Sequence, residues 1–277
     1  METTAYLERI GFDERRPSAN RTQSNHVDTE LAPTLETAGR LQRAHAQAVP
    51  FENLDIVGDP FDADPTPPAG VQLNLPHLYQ KIVERERGGF CFELNGLFTW
   101  LLRELGFDAD RVAARMVGDD GTGRPPANHH TIAVEFDRRY LLDVGTGAPQ
   151  LRRPLPIDGE VVVDDVGVAW RVVESERPDE EFLTQYRLPE GEWEDRYLFT
   201  DRPRELSYFE ATCEYLASAP ESPFTGAPVA TIATEYGYQT LRTDSLIRWT
   251  GGDEREEPVE PDEWHGLFQA LFGRSSR

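Results

Sequence analysis

The sequence predicts an α+β fold in which a helical N-terminal third is followed by short antiparallel strands. Up to residue 106, apolar residues recur every three or four positions, which is typical of helices with a buried face. Beyond that point the pattern changes to short alternating runs, which is typical of strands. The connections between these runs are too short for the helical crossovers of a parallel sheet, so we expect an antiparallel sheet or barrel.

Four helices are predicted in the N-terminal third. The first is centred near Tyr6, the second follows Pro33, and the third begins at Asn74 with a proline in its first turn. The fourth follows Cys91, and its leucines and phenylalanines recur at helical spacing. Gly106 stands where a glycine commonly ends a helix. We expect this fourth helix to bury one face.

The remaining elements are mostly strands. A helix is predicted from Ser207, and a last helix carries an apolar stripe that starts at Trp264 and ends before Gly273. Two segments rich in proline, glycine or aspartate, 59–70 and 119–126, are predicted loops. The predicted strands occupy residues 110–118, 129–136, 139–144, 161–163, 169–173, 230–234 and 239–249.

The composition limits the partners and the compartment. The chain has 277 residues and a net charge of −22, and among its 28 basic residues only Lys81 is a lysine. An acidic, lysine-poor surface suits a cytoplasm with molar salt, and its negative field argues against nucleic acid or anionic membrane as a partner. Two cysteines do not make a disulfide framework, and a reducing cytosol fits. The polar N-terminus and the absence of a long apolar run predict neither a signal peptide nor a membrane span, and no metal is expected.

The candidate nucleophile is Cys91, which lies just before the fourth helix. Gly88 and Gly89 bend the chain ahead of it, so the thiol lies in the first helical turn. Unpaired N–H groups and the helix dipole favour thiolate there, whereas the charge of Glu93 opposes it weakly. A free cysteine is also commonly a small buried hydrophobic residue, so a partner base is needed to decide.

A histidine and an aspartate that could serve Cys91 lie downstream. The chain carries His129 and His130 before one strand and Asp143 at the end of the next. A cysteine, a base and a carboxylate far apart in sequence can form a nucleophilic constellation. A two-residue turn between the strands would place Asp143 on the side of His130, and a three-residue turn on the side of His129. The local pattern leaves both histidines open.

Three motifs resemble the arylamine N-acetyltransferase family. They are PFENLD at residues 50–55, RGGFCFELNGLF at 87–98 and LDVGTG at 142–147. The opening YLERIGF at 6–12 and the later SPF from Ser222 also fit, so the resemblance spans residues 6 to about 225. The family pattern places a valine five positions after its histidine and an acidic residue directly after that valine. Val134 and Glu135 fit this pattern, which selects His129 here.

The resemblance implies a papain-like cysteine-transferase fold in three parts. An N-terminal helical domain, residues 1–106, would carry the nucleophile. An antiparallel β-barrel, residues 107–205, would carry the histidine and the aspartate, and residues 206–277 would form an α/β lid.

The implied reaction is acetyl transfer in two steps. Cys91 would attack acetyl-coenzyme A, the co-substrate, and form an acetyl-cysteine. An arylamine, an arylhydrazine or a similar small amine would then take the acetyl group, with His129 as the base and Asp143 as its orienting acid. An amide synthase or a hydrolase of the same fold is the alternative enzyme. A binding protein without catalysis is disfavoured because all three residues are present.

The resemblance also implies supporting residues. Glu52 would pair with Arg87 and fix the loop that presents the cysteine, and Asn95 would support the same site. The family usually has a bulky aromatic side chain where Thr146 stands, so the acceptor pocket is expected to be wider or more polar. The residues expected to border the substrates are Phe51, Phe90, Thr146 and Gly147.

Overall fold

The computed structural model describes residues 1–12, 31–62, 70–118 and 124–273. The predicted loops at 59–70 and 119–126 therefore lie partly outside the described residues. A π-helical turn, Gln80–Glu84, extends the helix Leu75–Tyr79, and a 3-10 turn, Leu206–Phe209, precedes the helix Glu210–Ser218. The described α-helices are α1 (Thr3–Arg9), α2 (Leu35–Ala48), α3 (Leu54–Val57), α4 (Leu75–Tyr79), α5 (Cys91–Glu104), α6 (Glu210–Ser218) and α7 (Trp264–Phe272).

The strands form two antiparallel sheets. One sheet has eight strands in the order β5-β4-β3-β2-β9-β8-β7-β6, and the other has five in the order β1-β10-β11-β12-β13. The strands are β1 (Phe51–Glu52), β2 (Ala109–Met116), β3 (His129–Glu135), β4 (Arg139–Leu142), β5 (Leu155–Pro156), β6 (Val162–Val163), β7 (Ala169–Glu174), β8 (Phe182–Arg187), β9 (Glu194–Arg204), β10 (Val229–Ala233), β11 (Gly237–Arg242), β12 (Ser245–Thr250) and β13 (Asp253–Pro258).

The eight-stranded sheet is a nearly closed barrel. Hairpins join β2, β3 and β4, and β9 returns to pair with the free side of β2. The sheet curls until β5 lies close to β7. The predicted α+β fold with an antiparallel barrel is therefore confirmed.

The five-stranded sheet joins distant parts of the chain. Strand β1 precedes the barrel in sequence, yet it pairs with β10, where Phe51 lies opposite Thr231. Helix α7 covers this sheet with Trp264 and Phe268, which pack on apolar residues of β10, β11 and β12. The segment around residue 52 is therefore tied to the C-terminal part of the molecule.

Helix α5 is the central element of the fold, and it is buried more completely than the sequence predicts. Every residue from Cys91 to Leu102 is buried, whereas the apolar spacing predicts only one buried face. The helix is enclosed by the N-terminal helices on one side and by β2 and β3 on the other. Its polar residues Glu93, Asn95 and Thr99 are buried because each has a hydrogen-bond partner.

Strands β8, β9 and β13 are absent from the predicted elements. All six residues of β13 are exposed, and most are charged, so the strand has no apolar face that alternation could reveal. It forms because its backbone pairs with β12 over six residues. Strands β8 and β9 carry charged residues at their ends, and bulges break their register.

Candidate active site

The chain that leads into α5 is held against β1 by two glycines. Glu52 N donates to Gly89 O at 2.9 Å, and Gly89 N donates to Pro50 O at 3.2 Å. A Cβ on Gly88 would overlap Pro50 O, so the two segments can approach this closely only because a glycine stands there. The first residue of α5 is therefore positioned by backbone hydrogen bonds.

A buried ion pair reinforces this junction. Glu52 Oε1 accepts a hydrogen bond from Arg87 Nη2 at 3.1 Å, and its other oxygen accepts from Leu54 N at 2.6 Å. Arg87 also reaches Asp55 Oδ1 at 3.2 Å. The structure therefore contains the Glu52–Arg87 pair that the family resemblance implies.

Lys81, which belongs to none of the sequence motifs described above, lies in the same network. Its ammonium donates to Glu93 Oε1 at 2.8 Å and Oε2 at 3.0 Å, and it lies 2.9 Å from Asp55 Oδ2. Burial alone would lower the pKa of Lys81, but the carboxylates, Glu93 foremost, raise it above its ordinary value. Glu93 Oε2 in turn accepts the N–H of Phe90, the N-terminal cap of α5, at 3.1 Å.

The hairpin of β3 and β4 places Asp143 beside His129. The turn between Glu135 and Arg139 has three residues, which is the alternative that puts Asp143 on the side of His129. His129 Nε2 lies 2.7 Å from Asp143 Oδ2, and both side chains are buried. Burial alone would raise the pKa of Asp143, but the charge and hydrogen bond of His129, aided by other donors, hold it below its ordinary value.

Asn95 connects α5 to this pair. Its amide nitrogen donates to His130 O at 2.6 Å and to Asp143 Oδ1 at 2.9 Å. Its carbonyl oxygen accepts from Val144 N at 2.9 Å. The carboxylate also accepts the N–H of Gly145 at 2.8 Å, so its orientation is fixed from three sides.

The loop after Asp143 packs on the backbone of Cys91. A Cβ added to Gly145 would lie 2.8 Å from Cys91 Cα and 2.9 Å from the Asn95 amide nitrogen, so no larger residue fits. The thiol lies 3.9 Å from Asn128 O, in the residue that precedes His129. Cys91, His129 and Asp143, which are far apart in sequence, are therefore brought together by α5, β3 and the end of β4.

The prediction of a lowered thiol pKa is wrong for this structure. Cys91 is 3% exposed, and burial raises the pKa of its thiol well above the ordinary value. The nearby groups Cys213, Asp143 and Glu93 raise the pKa further, whereas the N–H of Phe92 lowers it. The N-terminus of α5 therefore lowers the thiol pKa through the N–H of Phe92, but this lowering is smaller than the rise caused by removal of the thiol from water.

His130 has a different environment from its neighbour. Its ring stacks between Phe92 and Phe209, with centroid distances of 5.9 and 4.7 Å. Its Nε2 donates to Phe92 O at 3.3 Å, and burial lowers its pKa to about 3. His130 is therefore a neutral packing residue, which leaves His129 as the histidine that faces the carboxylate.

The loop with Thr146 and Gly147 is held by an arginine that the sequence analysis misses. Arg196 of β9 donates to Thr146 O and, at 3.3 Å, to Ala148 O. Burial lowers the pKa of this arginine, whose guanidinium lies against the Tyr186 ring. A Cβ on Gly147 would touch the ring of Phe51 at 3.7 Å, so the loop borders the aromatic side chains next to Cys91. No local pattern marks Arg196, because its partners are backbone carbonyls 50 and 48 residues away.

A groove of about 520 Å³ is lined by residues of β2 and β9 and by Pro126 and Ala127, which precede β3. Ala113 and Ala127 line it and also pack on the apolar cluster that contains Cys91. Tyr208, which is half exposed, forms another part of the wall. The charged residues along the groove are Arg115, Arg202, Arg204, Asp179, Glu180 and Glu181.

Metal-binding clusters and membrane-spanning helices are both absent from the described part of the chain. Residues 1–12, 31–62, 70–118 and 124–273 contain no group of three or more histidine, cysteine, aspartate or glutamate side chains that could hold a metal ion. Within the same ranges, no helix has the length and apolar character needed to cross a membrane.

Comparison with known proteins places the chain in a family. Residues 34–275 match a family model described as N-acetyltransferase. An arylamine N-acetyltransferase of Mycolicibacterium smegmatis is 31% identical over 92% of this chain and 85% of its own length. The chain belongs to the arylamine N-acetyltransferase family.

Two further relatives support this assignment. An arylamine N-acetyltransferase / N-hydroxyarylamine O-acetyltransferase of Salmonella typhimurium is 32% identical over 90% of this chain and 85% of its own length. The structure of a Mycobacterium marinum arylamine N-acetyltransferase in complex with CoA superposes with a TM-score of 0.80 at 26% identity, and covers 98% of this chain and 92% of that one. The chain is thus an acyltransferase of the arylamine N-acetyltransferase family, and the resemblance found in the sequence is confirmed.

Proposed function

We propose that Cys91, His129 and Asp143 are the catalytic residues of a two-step acetyl transfer from acetyl-coenzyme A to an amine. The observation that carries the proposal is the 2.7 Å contact between His129 Nε2 and Asp143 Oδ2, combined with the packing of Gly145 on the backbone of Cys91. Because Asp143 takes Nε2, the other ring nitrogen, Nδ1, is available as the base for the thiol.

In the first step, Cys91 attacks the thioester carbonyl of the donor. Burial favours the neutral thiol, and its proton passes to His129 Nδ1 as the sulfur attacks. The N–H of Cys91 lies in the first turn of α5, where helical N–H groups have no partner within the helix, and it can donate to the developing oxyanion. The thiolate of coenzyme A leaves, takes the proton from His129, and an acetyl-cysteine remains.

The groove beside the site suits the donor. Ala113 and Ala127 in its wall pack on the apolar cluster around Cys91. Three arginines line it, of which Arg115 and Arg202 are paired with acidic residues in this structure and would exchange those partners for the phosphate groups of coenzyme A. The relative from Mycobacterium marinum was solved in complex with CoA, which supports the same donor here. We place the pantetheine arm along Ala113 and Ala127.

In the second step, an amine attacks the acetyl-cysteine. His129 removes the proton of the nitrogen, Asp143 holds the imidazole in place, and the sulfur leaves as the thiol. Arylamines and arylhydrazines are the proposed acceptors, in keeping with the names of the relatives. Thr146 lies in the loop after Asp143, and its buried hydroxyl has no hydrogen-bond partner in the described structure. We therefore propose that the small size of this side chain, and not its hydroxyl, affects the choice of acceptor.

The proposal is tested by trapping the intermediate. Radiolabelled acetyl-coenzyme A without an amine should leave one acetyl group on Cys91, located by peptide mass, and addition of anisidine should release it as the amide. Cys91→Ser and His129→Gln should form none while keeping the circular dichroism of the parent. Cys213→Ala is the matched control, and it should be acetylated normally. Release of free acetate at the same rate with and without amine would contradict the transferase and favour a hydrolase of this fold.

We also propose that the protein functions at high salt. The net charge of −22 creates strong repulsion within the compact chain, and molar salt would screen it. Activity measured across a potassium chloride series should therefore rise toward molar concentrations. A maximum in dilute buffer would contradict this proposal.

A further inference from the structure

Lys81 is unusual in both composition and position. It is the only lysine among the 28 basic residues of the chain, and arginine stands at every other basic position. A lysine normally keeps its ammonium in water, yet this one is 4% exposed. A single buried lysine in a chain that otherwise uses only arginine indicates a task that requires an ammonium group.

The contacts of the ammonium show why an arginine would not fit. An ammonium has three N–H donors in a tetrahedral arrangement, and Lys81 Nζ has three carboxylate oxygens at 2.8, 3.0 and 2.9 Å. Two of these oxygens belong to Glu93 and one to Asp55. A planar guanidinium spreads its donors over a wider fork and cannot bring a single nitrogen within hydrogen-bond distance of all three oxygens in this arrangement.

Glu93 connects this cluster to the nucleophile. It is the third residue of α5, two positions after Cys91, and its carboxylate accepts the N–H of Phe90 that precedes the helix. A buried carboxylate so close to a thiol opposes ionisation of the thiol, and at Cys91 this effect is smaller than those of burial, Cys213 and Asp143. Burial raises the pKa of Glu93 itself, and the charge and hydrogen bond of Lys81 oppose that rise. Without a compensating cation, the helix cap would hinder the chemistry of the cysteine.

We propose that Lys81 is a positioning residue that holds Glu93 as an ionised cap of α5 and cancels its charge toward the Cys91 thiol. The inference rests on the proposed role of Cys91 as the nucleophile. Lys81 makes no contact with the reacting atoms and acts through Glu93. The other groups that face Lys81 are Glu52, Asp55, His77 and Cys213, and those that face Cys91 besides Glu93 are Cys213 and Asp143.

The test measures the thiol directly. The rate of iodoacetamide alkylation of Cys91 is followed from pH 5 upward, as far as circular dichroism shows an intact fold, in a Cys213→Ala background. Because burial raises the thiol pKa, the displacement of the rising limb along the pH axis gives the shift of the midpoint where the profile does not reach its plateau. Lys81→Met should raise the midpoint of the profile by roughly one pH unit, the usual size of the effect of one nearby charge. Single-turnover acetylation of Cys91 at neutral pH should slow about tenfold, which corresponds to that shift. The double variant Lys81→Met/Glu93→Gln should return the midpoint to within a few tenths of a unit.

Arg87→Met is the matched control. Arg87 belongs to the same cluster but has its hydrogen bonds with Glu52 and Asp55, so its loss should destabilise the fold with a smaller shift of the midpoint. A purely structural role for Lys81 would lower the melting temperature and leave the midpoint unchanged, and that result would overturn the proposal. So would a double variant whose midpoint stays raised.

The test still gives a result if Lys81→Met fails to fold or if the parent protein forms no acetyl-cysteine. If Lys81→Met does not fold, Glu93→Gln alone should lower the midpoint, and an unchanged or raised midpoint would refute the proposal. Alkylation reports on the thiol whether or not the protein transfers acetyl groups. A parent protein that forms no acetyl-cysteine would therefore reject the proposed function and leave the test of Lys81 intact.

Discussion

His45 should make the protein sensitive to acid, and the structure gives the magnitude. It lies in α2 with no exposed surface, 5.9 Å from the Tyr6 ring and 5.2 Å from the Phe98 ring between centroids. Neither ring nitrogen has a hydrogen-bond partner among the described residues. Burial lowers the pKa of His45 to about 3, whereas the unfolded chain would keep a value near 6.5.

The sign follows from proton uptake. Between these two pKa values the unfolded state binds a proton that the folded state does not, so stability falls as the pH is lowered through this window. At pH 5 the gap to the unfolded value is about 1.5 units, which corresponds to a loss of about 2 kcal/mol relative to pH 7.5. The substitution His45→Leu removes this term.

The assay is urea unfolding of the parent and of His45→Leu at pH 7.5 and pH 5, at one fixed salt concentration. The difference between the two proteins at pH 7.5 reports only on packing, because His45 is neutral in both states there. Burial also lowers the pKa of His130, but its pH-dependent contribution to the free energy of unfolding is the same in both proteins and cancels in their difference. We expect the parent to lose about 2 kcal/mol more than the variant between the two pH values. Equal losses would show that His45 is protonated, or hydrogen-bonded, inside the fold.

Three other predictions follow from the site. Thr146→Phe should raise kcat/KM for anisidine-like arylamines several-fold, since a filled ring contact is worth about 1 kcal/mol. Single-turnover acetylation of Cys91 should stay near the parent rate. Equal slowing of both steps would instead place Thr146 at the donor side. Asn95→Ala should slow acetylation at least tenfold, because the Asp143 carboxylate loses a donor, whereas Thr99→Ala on the same helix should only lower stability. The melting temperature should rise with potassium chloride, since the Debye length falls from about 10 Å at 0.1 M to about 3 Å at 1 M; a constant value would refute the halophilic interpretation.

Much of the site could be predicted because its residues lie in contiguous motifs. The glycines before Cys91 mark a bend, the leucines after it mark a helix, and both features follow from neighbouring residues. The local pattern could not decide which histidine pairs with Asp143, because that depends on the length of one turn. The family pattern selects His129, and the observed three-residue turn places Asp143 on the side of the same histidine.

The features that the sequence does not reveal depend on long-range pairing. Lys81 and Arg196 look like ordinary surface charges, because their partners come from other elements. Glu93 and Asn95 likewise suggest a solvent-facing side of α5, and only the tertiary structure provides the ammonium, the carboxylate and the carbonyls that allow them to be buried. The thiol pKa is a similar case, since local position favours thiolate and tertiary burial reverses the sign.

The burial of the only lysine also determines how the molecule reacts with acylating agents. The only lysine is 4% exposed, so residues 1–277 present no ε-amino group to solvent. A protein that meets activated acetyl groups would thus offer them almost no competing nitrogen of its own. The same property predicts that an amine-reactive ester at neutral pH should leave every side-chain amine of the folded protein unmodified, whereas unfolding in urea should make Lys81 reactive.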